Sequence, residues 1–422
     1  MIKKILVLIA ITVNLLAVDA TMEIVKRGKT IPKIVINLAS DSDQSKTAHK
    51  VKELLKSDLS VSGHFNVRDL NFNLLFDKKP TIMDLRAQDI DLFANVYLGE
   101  NSIGGYELYV KLYDINSNKL VQNKTFTVSS VERFPFLAHK SAIDINSYLG
   151  APSIKWMEKF VVFSRYQEAK QSEILISDYT LTYQQIIIKG GLNIFPKWAS
   201  KDQEAFYYTS YNRGTPTIYK YNLYSGDKTK IISSDGMAIC SDVSKDGKKL
   251  LLVLAPNAQP DIYLYNVSSN IKIRLTYYKG IDVGASFINN DQRFTFVSNR
   301  LGYPNIFTKT IGDRGVQRLI YHGKNNNSCT SHDNYIVYTS RETKNEFGSN
   351  TFNLYLASTQ TEYLRRLTTV GINQFPKFSS DGESILFIKN TGSKSSLGII
   401  RLFYNKSFLF PLKVGKLQSI DW

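Results

Sequence analysis

From about residue 160 onward the chain alternates short apolar runs with turns, and the alternation repeats about every 45 residues. An Asp followed closely by an apolar run recurs at Asp202, Asp246, Asp291, Asp333 and Asp381, at intervals of 44, 45, 42 and 48 residues. One apolar residue sits just before each Asp: Trp198, Val243, Phe287, Cys329 and Phe378. A turn-rich stretch, a second apolar run and a last short run complete each unit, as TPTIYKYNL and KTKIIS do after Asp202. Each unit reads as four strands joined by Asp-Gly-type and Asn/Gly/Pro turns. Four-stranded units at this period predict a β-propeller. Residues 160–188 supply the second, third and fourth strands of a unit without its innermost one, whereas QSIDW at 418–422 is an innermost strand with no unit behind it. The C-terminal strand is therefore expected to complete the first blade, giving six blades and removing exposed strand edges. The best-preserved copies are GLNIFPKW at 191–198 and GINQFPKF at 371–378. Pro196 and Pro376 are expected to open the innermost strands, where a missing N–H is tolerated. Trp198 and Phe378 should pack between blades, with Lys197 and Lys377 pointing the opposite way.

Residues 33–150 follow another rhythm. KIVINL (33–38) reads as a buried strand, and Ala48, Val51, Leu55 and Leu59 recur at helical spacing behind an N-cap at Ser42 or Asp43. HFNVRDL is a short strand. DLFANVYLG, YELYVKLYDI and KLVQNKTFTV alternate as strands, and a helix with Leu137, Ala138, Ser141 and Ile145 on one face runs from about Phe134 to a stop at Gly150. The fold class expected is an α+β N-terminal domain (33–150) followed by an all-β six-bladed propeller (151–422). Ahead of them, MIKK, a broken apolar run and Val18-Asp19-Ala20 have the order of a secretory signal peptide (1–20) cleaved after Ala20. The unbroken apolar run is well short of the roughly 20 residues of a spanning helix. An exported, soluble chain beginning with an extended segment at 21–32 is expected.

A net charge of +16 could point to nucleic acid, anionic lipid or an acidic partner. Export argues against nucleic acid, and the basic residues are scattered singles and pairs, mostly Lys, with no block of five or six. Cys240 and Cys329 lie about two repeats apart, on non-adjacent units, beyond the roughly 7 Å between Cα atoms that a disulfide tolerates. Two free, mostly buried thiols are expected.

No HExxH, GxSxG, Walker or GxGxxG element is present, and the five histidines have no metal-site spacing. The repeated Asp residues are explained by turn chemistry. No catalytic residue, metal or cofactor is expected. The loops entering the innermost strands (191–195, 236–239 and 371–375) should converge on one end of the central channel. That mouth is the candidate binding surface, with Asn193, Phe195, Met237, Ala238, Asp282, Asn326, Asn373 and Phe375 as its candidate residues.

SDLSVSGHFNVRD, DLFANVYLGENSIGGYELYVKLYDI, AHKSAIDINSYLG and FPKFSSDGESILF, in this domain order, make the chain similar to the TolB family of the Tol–Pal system over essentially its whole exported length. The resemblance implies a monomeric periplasmic scaffold, not an enzyme, that meets membranes only through its partners. It implies that the mouth binds a Pal-type peptidoglycan-associated lipoprotein. It also implies that the segment Thr21, Met22, Glu23, Ile24, Val25, Lys26 and Arg27, whose alternation suits adding a strand to a sheet edge, pairs with a TolA-type inner-membrane protein. The two events are coupled in the family, whose roles are outer-membrane integrity and its invagination at cell division. This chain departs from the pattern at 241–245 and 332–334, and near Met237, where a mouth histidine of the family is replaced. An exported propeller enzyme or ligand-binding protein with its site at the mouth is the alternative.

Overall fold

The computed structural model describes residues 31–422 apart from 103, 213, 346 and 347. The expected signal peptide with its cleavage after Ala20, and the segment Thr21–Arg27, lie outside the described residues.

The buried run of KIVINL makes β1 (Lys33–Leu38) an interior strand of the small domain, with four central residues buried. A helix α1 (Lys46–Ser62) follows, burying Ala48, Val51, Leu55 and Leu59 as their spacing requires. Its cap is Ser45, whose hydroxyl accepts from the Ala48 N–H at 3.3 Å, not Ser42 or Asp43. Those two are engaged elsewhere: Ser42 Oγ accepts from the Leu98 N–H, and Asp43 accepts from the Ser45 N–H. The remaining elements are β2 (Asn66–Arg68), a short α2 (Ile82–Ala87) with no counterpart in the sequence reading, β3 (Leu92–Glu100), β4 (Tyr106–Asp114), β5 (Lys119–Val128) and α3 (Pro135–Tyr148). The sheet order is β2-β1-β3-β4-β5, parallel around β1 and antiparallel from β3 on. The two long helices pack on each other and on the sheet through one continuous apolar core.

Six four-stranded units follow. Their innermost strands are Asn193–Trp198, Ala238–Val243, Asp282–Ile288, Lys324–His332, Ile372–Phe378 and Lys416–Asp421. The last of these pairs antiparallel with Val161–Glu168, so the first blade is assembled from residues at both ends of the propeller sequence. We number the blade containing Val161–Glu168 as blade 1.

In each innermost strand the pairing with the second strand is interrupted by a bulge. Phe195, Gly284, Ser328 and Phe375 adopt positive φ there, at 55°, 61°, 48° and 52°. This corrects the expectation for the prolines. Pro196 and Pro376 lie inside their strands, directly after the bulged residue, where pairing is already broken and no N–H is needed. A second correction concerns blade 5. His332, not Cys329, stacks toward Phe378 of the next blade, its ring centroid 5.6 Å away, because blade 5 turns directly from His332 to Tyr335 whereas blade 6 runs from Phe378 to Ile385 before pairing resumes. The Asp turns behave as their chemistry predicts: Asp246 and Asp381 each accept from a neighbouring serine and a backbone N–H of the turn.

Candidate functional site

A bulge re-aims the residues that follow it, and here it brings one polar side chain per blade to the same level of the channel. Going round, these are Asp421, Lys197, Asp242, Ser286, Ser331 and Lys377, from blades 1 to 6. Lys197 Nζ lies 2.9 Å from Asp242 and 3.1 Å from Asp421. Ser286 Oγ is 3.2 Å from Asp242 and 3.0 Å from Ser331 Oγ. Lys377 Nζ reaches Asp421 at 3.5 Å. Each carboxylate also accepts a backbone N–H of the following blade, Asp421 from Trp198 at 2.9 Å and Asp242 from Phe287 at 2.8 Å.

The electrostatics follow from this arrangement. Burial opposes the charge on Lys197, but its two carboxylates outweigh that and raise its pKa. Burial likewise opposes the Asp242 charge, and the adjacent Lys197 still holds its carboxyl below the usual range. For Lys377, burial and then repulsion from Lys197 dominate, and its pKa is lowered. The carboxylates are thus occupied by lysines and N–H groups. Among the described residues no group of His, Cys, Asp and Glu has a metal-binding arrangement.

Above the ring opens a cavity of about 320 Å³ lined from all six blades. Its collar is apolar, with Phe195, Met237, Ile239, Val283 and Phe375, and Lys197 and Lys377 lie at its base. Phe195, Met237 and Phe375 are half-buried and face this space as the sequence reading places them. The other candidate residues are buried, which corrects the expectation that they face a partner. The Asn193 amide donates to Gly190 O, Asn326 to His322 O, and Asn373 to Val370 O and Phe352 O, each stapling its own entry loop. Asp282 accepts two hydrogen bonds from Arg300, and the Ala238 carbonyl accepts from Thr209. These residues shape the mouth from below. The sequence reading missed the charged ring, although each member directly precedes the residue that closes its innermost strand or packs beyond it.

Cys240 and Cys329 also line the cavity and are both free, as expected. Burial pushes the Cys240 thiol up strongly and that of Cys329 up to about 12.

The opposite end of the propeller carries the small domain. There His139 of α3 is fully buried between Asp58 of α1 (Nδ1 to Oδ2, 2.8 Å) and Asp178 of blade 1 (Nε2 to Oδ2, 3.3 Å). The Tyr179 hydroxyl donates to the other Asp58 oxygen at 2.5 Å. Burial opposes the charge on His139, but attraction to Asp58 and the hydrogen bonds to both carboxylates outweigh it and push its pKa up to about 10. Burial pushes the Asp58 carboxyl up as well. We place the proton on the imidazole, because both ring nitrogens face carboxylate oxygens and only the imidazolium donates to both. Trp156 stacks edge-on against both Tyr179 and Trp422, at 5.3 and 5.2 Å, joining this junction to the terminal strand. A larger cleft of about 580 Å³ lies beside the junction, lined by Arg133, Lys140, Glu158, Lys159 and Asp202 among others, and it gathers no cluster with catalytic geometry.

Two family models match the chain: the TolB amino-terminal domain over residues 20–121 and the TolB beta propeller domain over residues 157–420. Among curated relatives, the Tol-Pal system protein TolB of Wolinella succinogenes is 48% identical over 415 residues, covering 97% of each chain. That of Helicobacter hepaticus is 48% identical over 421 residues, covering 99% of each. The crystal structure of TolB from Acinetobacter baumannii superposes with a TM-score of 0.77 at 21% identity, covering 93% of this chain and 97% of that one, a likeness of fold.

Proposed function

The chain belongs to the TolB family, and from that membership we propose that it is a non-enzymatic periplasmic scaffold linking an outer-membrane Pal-type lipoprotein to an inner-membrane TolA-type protein. The observation that carries this reading is the mouth itself. A cavity lined from all six blades, with an apolar collar from blades 2, 3, 4 and 6, stands over a ring whose carboxylates are already paired with lysines, which is a surface suited to docking. The alternation of Thr21–Arg27 suits adding a strand to the sheet edge of a second partner. Linking the two membranes in this way supports outer-membrane integrity and its inward movement at division.

The test is a pull-down from envelope extracts with the full exported chain and with a deletion of residues 21–30. The full chain should recover both a peptidoglycan-associated lipoprotein and the inner-membrane protein. The deletion should lose only the second while its melting curve is unchanged. Recovery of neither partner by the full chain would refute the reading.

A further inference from the structure

The channel ring is balanced in sum, with two lysines and two aspartates, but not in place. Lys197 stands between Asp421 and Asp242 and contacts both within 3.1 Å. Lys377 stands between Asp421 and Ser331, and its ammonium meets one carboxylate oxygen at 3.5 Å, beyond a good hydrogen bond. That oxygen, Asp421 Oδ1, is already held by Lys197 at 3.1 Å. Ser331 cannot serve as the missing anion: it is neutral, and its hydroxyl donates to Phe287 O. Lys377 is also the most accessible of the four charged members, its side chain 21% exposed against 16%, 16% and 5% for Lys197, Asp242 and Asp421. It lines the base of the apolar cavity. A cation with one long contact, at the floor of a pocket open to the outside, is one acceptor short.

The surroundings of the mouth are mostly of the same sign. Exposed Lys416, Lys189, Lys279 and Lys324 sit on the approaches to the innermost strands of blades 1, 2, 4 and 5 and half-buried Lys389 on blade 6, against exposed Glu168 on blade 1 and Asp235 on blade 3. Exposed Ile281, Val370, Ile372 and Val414 lie among them.

We propose that Lys377 anchors a carboxylate brought in by the partner, so that the segment entering the mouth is acidic and flanked by apolar side chains. The carboxylate occupies the place in the ring that Ser331 leaves without charge. The lysines of the rim steer it there, and the collar of Phe195, Met237 and Phe375 covers the apolar flanks. This rests on the reading of the mouth as the docking site for the Pal-type lipoprotein.

Two variants test it by calorimetric titration of the full exported chain with the soluble domain of the organism's own peptidoglycan-associated lipoprotein. Lys377→Met removes the anchor. Ser331→Asp supplies the missing carboxylate from within and competes with the partner's. Both should weaken binding by at least about tenfold and flatten its dependence on salt, each measured well below that variant's own melting temperature. A merely structural role for Lys377 would lower stability in Lys377→Met and leave binding by Ser331→Asp intact, which overturns the inference alone. If the unaltered chain does not bind the lipoprotein domain, the docking reading falls and the inference with it.

Discussion

The buried cation at the junction gives the sharpest stability prediction. Replacing His139 with Ala leaves Asp58 and Asp178 facing each other at zero exposure, with no positive charge between them. Removing one partner of a buried, hydrogen-bonded ion pair costs about 3–5 kcal/mol. For a folded unit spanning residues 31–422 the unfolding entropy scales to roughly 0.8 kcal/mol/K, so the melting temperature should fall by about 4–6 °C. The pH dependence is the more specific signature. The folded pKa of His139 is raised, from 6.5 to about 10, so its contribution is fully present below pH 6.5. It is lost as pH rises through that window, at up to roughly 1.4 kcal/mol per pH unit. The groups facing it are Asp58, Asp178 and the Tyr179 hydroxyl, with Arg401 beyond the tyrosine. Urea unfolding of the exported chain and of His139→Ala between pH 6 and 10 provides the assay. The unaltered chain should lose stability across this range and the variant should show a flatter profile. Parallel profiles would refute the placement of the proton on His139.

The remaining predictions concern other parts of the same framework. Gly63 ends α1 at φ 80°, and a Cβ there would lie 2.8 Å from the Tyr404 ring of the propeller, so Gly63→Val should cost about 2–4 kcal/mol by chemical denaturation. Asp421→Asn takes from Lys197 one of its two carboxylates and from Lys377 its one contact, and should cost about 3 kcal/mol in the same assay. Both thiols should resist a disulfide-exchange reagent in the folded chain and label fully in denaturant without reductant; labelling in denaturant only after reduction would contradict their being free.

The propeller was legible because its second and third strands are strongly apolar, as in Lys249–Leu254 and Asp261–Asn266, and because Asp turns mark the period. The innermost strands were located, as at 193–198, 372–378 and 416–421, but not their bulges or bounds. Lys324–His332 reads KNNNSCTSH, a polar string that is a strand only because the neighbouring strand and blades hold it. The bulge ahead of Pro196 is why that residue was placed at a strand start, and the short turn from His332 to Tyr335 is why Cys329 was placed at the position His332 occupies. The mouth itself was found from the entry loops, but its asparagines were read as offered outward. Only the hydrogen bonds show that their amide N–H groups are used on carbonyls of the entry loops and, for Asn373, of the preceding blade. The ring escaped notice because its members differ in kind. Lys, Asp and Ser at one level form no sequence motif; what relates them is spacing of about 45 residues and a shared bulge.

Strand Lys416–Asp421 has a consequence for how the molecule comes into being. Ser419 and Ser164, hydrogen-bonded in blade 1, are separated by 255 residues. Blade 1 is made early and finished last: Val161–Glu168 waits with an unpaired edge while the other blades form. Contacts that distant are slow to close, and a waiting edge invites pairing with another chain. The ring, through Asp421, and the junction, through Trp422, are completed in the same event. Until that strand docks there is neither a finished mouth nor a finished seat for the small domain, so the chain gains both of its working ends at one moment.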